Sequence, residues 1–209
     1  MGAEEALGPP QCPSEIEDGE GAFIARVVTF SPGPGAGFGQ PSMPEIVMGP
    51  PLGAEGLNGS LDVVSLGAGG EIVVELGATA VDCEGPDLIV FENAFPLGEI
   101  SYAELAEVSV SLDGVRWATF ACDPGGEWPF EGCAGVGVVH SNVEGNALSP
   151  RDPGVSGGDA FDLAEVGLAR ARFVRIRDLG FATGLSGPPS RGFDLDAIAV
   201  VSGHAEEAR

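Results

Sequence analysis

The chain has 209 residues, 44% of them apolar, and sets 32 acids against nine bases, all arginine, for a formal net charge of −23. A field of that sign repels phosphate backbones and anionic lipid, which makes nucleic acid and membrane surfaces poor partners and divalent cations good ones. The length suits one domain with a sound core. Glycine (34) and proline (17) make up about a quarter of the residues, and the apolar runs are short, which argues against a helical fold and for an all-β one.

Residues 1–21 are polar, acidic and punctuated by Pro and Gly, so they read as a flexible acidic N-terminal arm pinned at Cys12; residues 22–203 form the domain and 204–209 a C-terminal tail. FIARVVTF (23–30) is the first predicted strand. Residues 31–59 form a long Gly/Pro-rich loop, uncommon in a compact domain unless it packs as an excursion of its own. SLDVVSLG and EIVVELG then read as a hairpin across 68–70. DLIVFENAF (87–95) has the continuous apolar centre of a strand covered on both sides, and it ends in the polar pair Glu92-Asn93.

AEVSVSLDGVRWATFAC follows as the clearest hairpin, with Asp113-Gly114 at its turn. GGDAFDLAEVGLA (157–169) holds a short helix capped at Asp159 or Asp162. ARFVRIRDLG alternates, placing Arg172, Val174, Ile176 and Asp178 on one face, before FDLDAIAVV closes the domain. Roughly eight strands with long loops predict a single β-sandwich of jelly-roll, galactose-binding-like form.

Cysteines at 12, 83, 122 and 133 are even in number and contain no C-x-x-C, which favours disulfides over a zinc or redox site. Cys122 and Cys133 bracket a turn-rich segment, leaving Cys12 to tie the arm to Cys83. Closing the smaller loop contributes roughly 3 kcal/mol. Disulfides imply an oxidising compartment, and with no run of membrane-spanning length the expected location is secreted or at the cell surface, extracellular or periplasmic.

Candidate chemistry rests on acids set against apolar strand ends. Asp194 and Asp196 precede the last apolar run, and strict alternation puts them on one face with Cα atoms roughly 6.6–6.8 Å apart. Burying two uncompensated anions costs several kcal/mol, whereas calcium takes six to eight oxygens at about 2.3–2.6 Å. The expected ligands are Asp196, Asp194, Glu92, Asn93, Asp162 and Asp159, with Asp178 and Asp87 as weaker additions. The alternative is separate structural roles: Asp159 or Asp162 as an N-cap, Asp113 in its turn, Asp194 facing solvent past a bulge.

The strings DLIVFENAF, EVSVSLDG, GGDAFDLAEV, FVRIRD and GFDLDAIAV, in this order over roughly residues 23–202, resemble a family of exported bacterial "cell surface proteins" found in myxobacteria and among proteins with PEP-CTERM-type sorting signals. The resemblance implies a cellular address more than an activity. The closing FDLDAIAV is also similar to the last strand of calcium-containing jelly-roll carbohydrate-binding modules, where an Asp beside the final apolar run helps hold a structural ion. By position that residue is Asp196. Those modules draw another ligand from an acid in the first strand; FIARVVTF has none, and Glu92 is the substitute.

Sugar recognition needs aromatic faces beside polar groups. Trp128 and Phe130, inside the predicted Cys122–Cys133 loop, are the best candidates, with Tyr102 and His140 as further loop positions. Three functional readings follow. The first is a secreted, calcium-stabilised recognition or adhesion module that binds polysaccharide, cell-surface glycan or another surface component. The second is a glycoside hydrolase or polysaccharide lyase using paired carboxylates such as Glu92 and Asp162. The third is a purely structural surface-layer component. Two His and no Lys make the usual bases scarce, which weighs against the second.

Overall fold

The computed structural model describes residues 12, 16, 19–53, 60–97, 99–182 and 192–205. The chain is an all-β sandwich. One sheet runs β1 (Ile24–Ser31), β3 (Glu71–Val81), β10 (Arg170–Ala182), β7 (Glu104–Ser111), β8 (Ala118–Thr119), with β12 (Gly203–Ala205) added along β3. The other runs β2 (Val64–Ser65), β11 (Asp194–Val200), β4 (Leu88–Glu92), β9 (Asp159–Phe161). A two-stranded ribbon, β5 (Phe95–Leu97) and β6 (Ile100–Tyr102), connects β4 to β7. All pairings are antiparallel.

Sequence period decides which face each strand buries. In β3, Ile72, Val74, Leu76, Ala78 and Ala80 are buried while the residues between them are half-exposed, the signature of a sheet wetted on one side. Opposite, all five residues of β4 are buried, as its unbroken apolar run requires of a central strand. Phe91, Ile198 and Val200 from one sheet meet Val74, Val108 and Ile176 from the other in one continuous core.

The predicted hairpin over 60–77 forms differently. Residues 67–70 do reverse the chain, with Gly70 N–H donating to the Gly67 carbonyl, but the reversal carries it from one sheet to the other. β2 pairs with β11, whereas β3 pairs with β1 and β10. Arg172 also departs from expectation: a bulge between Ala171 and Phe173 turns it to the outer face. There its guanidinium meets Glu75, which Arg26 contacts from the other side.

Asp113 behaves as its turn predicts. Its Oδ1 accepts from the Val115 and Arg116 amides, and Gly114 takes φ 71°. The loop after β1 packs rather than drifting, through 3₁₀ turns at Gln40–Ser42 and Glu45–Val47, and Val47 enters the core. Both predicted disulfides form, Cys12–Cys83 with Cα atoms 5.7 Å apart and Cys122–Cys133 with Cα atoms 4.7 Å apart. Of the N-terminal arm, Ile16 also reaches the core, and its carbonyl accepts from Arg151. Residues 1–11, 13–15 and 17–18 of the arm and 206–209 of the tail lie outside the described residues.

Candidate functional site: buried carboxylates of two kinds

Among the described residues five acids are almost fully enclosed: Asp87 (0% exposed), Asp178 (2%), Asp196 (2%), Glu92 (3%) and Glu104 (6%). Two of these, together with Asp159, find their partners in backbone N–H groups. Asp178 Oδ1 accepts from the Gly69 and Gly180 amides at 2.7 and 2.8 Å, and its Oδ2 from Phe193 at 2.9 Å. Asp87 accepts from Cys83 and Leu163, both at 3.0 Å.

Asp159 accepts from three successive amides, Gly135, Val136 and Gly137, at 2.8, 3.0 and 2.9 Å. That nest needs glycine at 135: φ is 100° there, and a Cβ would lie 2.1 Å from the Glu104 carbonyl oxygen. Burial pushes Asp87 and Asp159 each up to about 6, more than the amides pull back. These carboxylates are loop clamps.

Glu92 and Asp196 are of the other kind. Glu92 ends β4 with Oε2 enclosed and without a hydrogen-bond partner. Burial raises it well above the usual carboxylate range, and the charges of Asp194, Glu104 and Asp159 push the same way. A compensating bond comes from the Asp194 backbone N–H. Asp194 is itself raised, first by burial and then by Asp178, although its carboxylate accepts from the Ser65 hydroxyl and the Asn93 amide. Asn93 Oδ1 is left enclosed with no donor. Tyr102 hydrogen-bonds Glu104, and burial together with Glu104, Glu92 and Asp194 moves its hydroxyl up to about 12.

Asp196 lies in different company. A register shift between Leu195 and Ala197 interrupts the alternation that was expected to align it with Asp194. Its Oδ1 accepts from the Leu52 amide at 3.3 Å, and its Oδ2 is enclosed with no partner. Burial pushes it up to about 8; the added charge comes from Asp62, which is raised by burial and by Glu144.

The predicted set is thus divided. Glu92, Asn93 and Asp194 come together, Asp159 reaches them through its charge, and Asp178 reaches Asp194. Asp162 caps the 3₁₀ turn at Leu163–Val166 through the Ala164 amide and lies with Asp82 and Asp87, their ligand oxygens all within 4.8 Å of one another. That trio has the spacing to hold a metal ion, but Asp87 and Asp162 already serve backbone amides.

The pairing of Glu92 with Asp162 is not made, because the acids acting on Glu92 are Asp194, Glu104 and Asp159. Glu104 and Asp62 were missed by sequence reasoning. Glu104 carried the same signal as Asp194: it shares strand parity with the buried Ala106, Val108 and Val110.

Among the aromatic candidates, Trp128 is 40% exposed and meets Phe130 edge-on, with ring centroids 5.9 Å apart. Phe130 is half-buried, in the left-handed region at φ 56°, and lines a groove of about 1100 Å³ with Asp123, Glu131 and Glu165 beside the Cys122–Cys133 disulfide. Tyr102 stacks on Phe95 at 4.9 Å and so belongs with the carboxylates around Glu92. His140 is exposed, and its carbonyl accepts from Asn146.

Residues 154–158 read G-x-S-x-G, the pattern of a nucleophile elbow. Ser156 is fully buried, and its hydroxyl donates to the Gly157 carbonyl, so it offers no nucleophile to a substrate. Two disulfides point to an oxidising environment, and no helix among the described residues is long and apolar enough to cross a membrane. No family model matches the chain, and no curated protein matches it.

Proposed function

We propose that this chain is a secreted or cell-surface recognition module, stabilised by calcium, whose loops bind glycan or another surface component. The observation that carries the reading is Asp196: a carboxylate 2% exposed, with one oxygen lacking any donor, set directly before the last apolar run. That is the position where the resemblance to calcium-containing carbohydrate-binding modules implies a ligand. The residues present fit such an ion, since Asp196 Oδ2 is unengaged and Asp62 adds a second carboxylate from the loop before β2. Calcium accepts irregular shells of carboxylate, carbonyl and water oxygens, which suits two acids brought together from a strand and a loop.

For recognition, the disulfide-closed loop offers Trp128 and Phe130, with the groove beneath Phe130 as the adjoining surface. An aromatic pair next to carboxylates supplies a stacking face and hydroxyl acceptors for sugar rings.

Thermal melts in calcium chloride and in chelator test the ion. An ion that binds only the folded state raises the midpoint, by about 2.7 kcal/mol of stability at a hundred times its Kd. Titration with polysaccharides, followed by tryptophan fluorescence and by assay for reducing ends, tests recognition against catalysis. A Trp128 response without product supports binding; released reducing ends with native protein, abolished by a carboxylate substitution, would replace this reading with a hydrolase.

A further inference from the structure

The groove beneath Phe130 has a chemistry that narrows what the recognition loop can take. It encloses about 1100 Å³, above the roughly 300–1,000 Å³ of ordinary small-molecule sites, which suits an oligomer better than a single ring. Two segments distant in sequence line it. The loop closed by Cys122–Cys133 brings Asp123, Phe130 and Glu131, and β9 with the 3₁₀ turn after it brings Asp159 and Glu165.

The four acids differ in what they can offer. Asp159 has both oxygens committed to the Gly135, Val136 and Gly137 amides, so it shapes the groove and has little left for a ligand. Asp123, Glu131 and Glu165 are exposed, and Asp123 is oriented through its Oδ1, which accepts from the Gly125 amide at 2.9 Å. Arg26 and Arg172 are spent on Glu75, and Arg116 on Asp113; none of these lines the groove. An entering ligand therefore meets three carboxylates beside an aromatic face.

Its chemistry has to suit both. An anionic polysaccharide is repelled. A neutral one stacks on the ring but takes water from the carboxylates and returns only hydroxyl donors. A protonated amine returns charge-assisted hydrogen bonds, roughly twice as strong as neutral ones, and is drawn to aromatic faces as well.

We propose that the ligand of this groove is a glycan bearing free amines, a chain of amino sugars whose rings stack on Phe130 and Trp128 while their ammonium groups meet Asp123, Glu131 and Glu165. The proposal rests on the glycan reading given above and narrows it to one class. The overall charge of −23 draws any cation inward, and the aromatic loop selects the place. A basic peptide shares the charge but not the flat rings, and is the competing occupant.

Calorimetric titration of the unmodified, disulfide-intact protein in mildly acidic, low-salt buffer tests this. The probes are a glucosamine oligomer, its N-acetylated counterpart of equal length, and an oligolysine of equal charge. An exposed ion pair is worth about two- to fivefold in affinity, so three should make the amine form bind about tenfold or more tightly than the acetylated one. Glu131→Gln and Glu165→Gln should each lose that single-pair factor. Glu45→Gln, at an exposed acid that does not line the groove, should lose nothing. Binding should shift tryptophan fluorescence in the unmodified protein and not in Trp128→Phe.

Equal affinity for the two glycans would leave the glycan reading standing and overturn this inference. So would an oligolysine that binds as tightly as the amine form, a loss in Glu45→Gln equal to that in Glu131→Gln, or a fluorescence shift that survives Trp128→Phe, because the ligand would then follow net charge or lie elsewhere. Failure of every glycan to bind would remove both readings.

Discussion

Replacing Asp196 with Asn gives the sharpest test of the electrostatics. Asp196 has a folded pKa of about 8 against an ordinary value of 3.8, so the folded chain holds a proton that the unfolded chain releases. Stability therefore falls as pH rises from about 4, and levels off only above about 8. The slope from this one group is at most about 1.4 kcal/mol per pH unit. Asp87 and Asp159, each near 6, act in the same direction but finish earlier. The interval from pH 6 to 8 thus isolates Asp196 when the unmodified protein and Asp196→Asn are compared in chelator.

Over those two units the substituted chain should gain up to about 3 kcal/mol on the unmodified one. That is roughly 6–12 °C of melting temperature for a chain of this size. Asn keeps an oxygen for the Leu52 amide, so the existing bond survives the change. Differential scanning calorimetry at pH 6, 7 and 8 reads the outcome directly. Curves that run parallel over this range would mean the carboxylate is not desolvated as its surroundings require, and the case for an ion at Asp196 would go with it.

The clamp carboxylates should respond in the opposite sense. Asp178→Asn points an amide NH₂ at a backbone N–H that previously donated, which should cost on the order of 2–3 kcal/mol and lower the melting temperature at every pH, with calcium or without. A neutral result by calorimetry would refute the clamp. Joint replacement of Cys122 and Cys133 by Ser should cost about 3 kcal/mol, read by urea denaturation, and should abolish any fluorescence response of Trp128 to glycan by loosening the loop that carries it. A variant that loses stability but keeps that response would separate the disulfide from recognition.

Most of the architecture was legible because strands announce themselves by period. The alternation in β3 and the unbroken apolar run of β4 gave both location and exposure, and the Asp113-Gly114 turn was written in its own residues. Partner choice was less so. The turn at 67–70 says that the chain reverses, but whether β2 lies beside β3 or moves to the opposite sheet depends on β11, far along the sequence.

The bulge after Leu195 was equally silent, since a dislocation of one residue carries no composition of its own, yet it separates Asp194 from Asp196. Glu104 was readable by the rule already applied to Asp194 and was passed over because its strand begins with it rather than ending in a polar pair. The amide clamps were not readable at all: Asp178 draws on Gly69, 109 residues away.

What unites the site is a shortage of positive charge. Bases are scarce, nine arginines and no lysine against 32 acids, and Arg26 and Arg172 pair with Glu75 and Arg116 with Asp113 rather than with an enclosed carboxylate. Asp87, Asp159 and Asp178 are met by backbone N–H groups, which loops rich in glycine supply at close range. That solution needs two or three free amides converging on one carboxylate. Glu92 accepts from the Asp194 amide and Asp196 from the Leu52 amide, and each keeps a second oxygen without a donor. The same residue type therefore divides by what faces it: opposite loops with free amides it is satisfied by the chain itself, and where a single amide reaches it, it requires charge from outside. Neutralising substitutions should accordingly destabilise the first group and, in chelator, stabilise the second, an opposition of sign that a merely solubilising acidic surface does not produce.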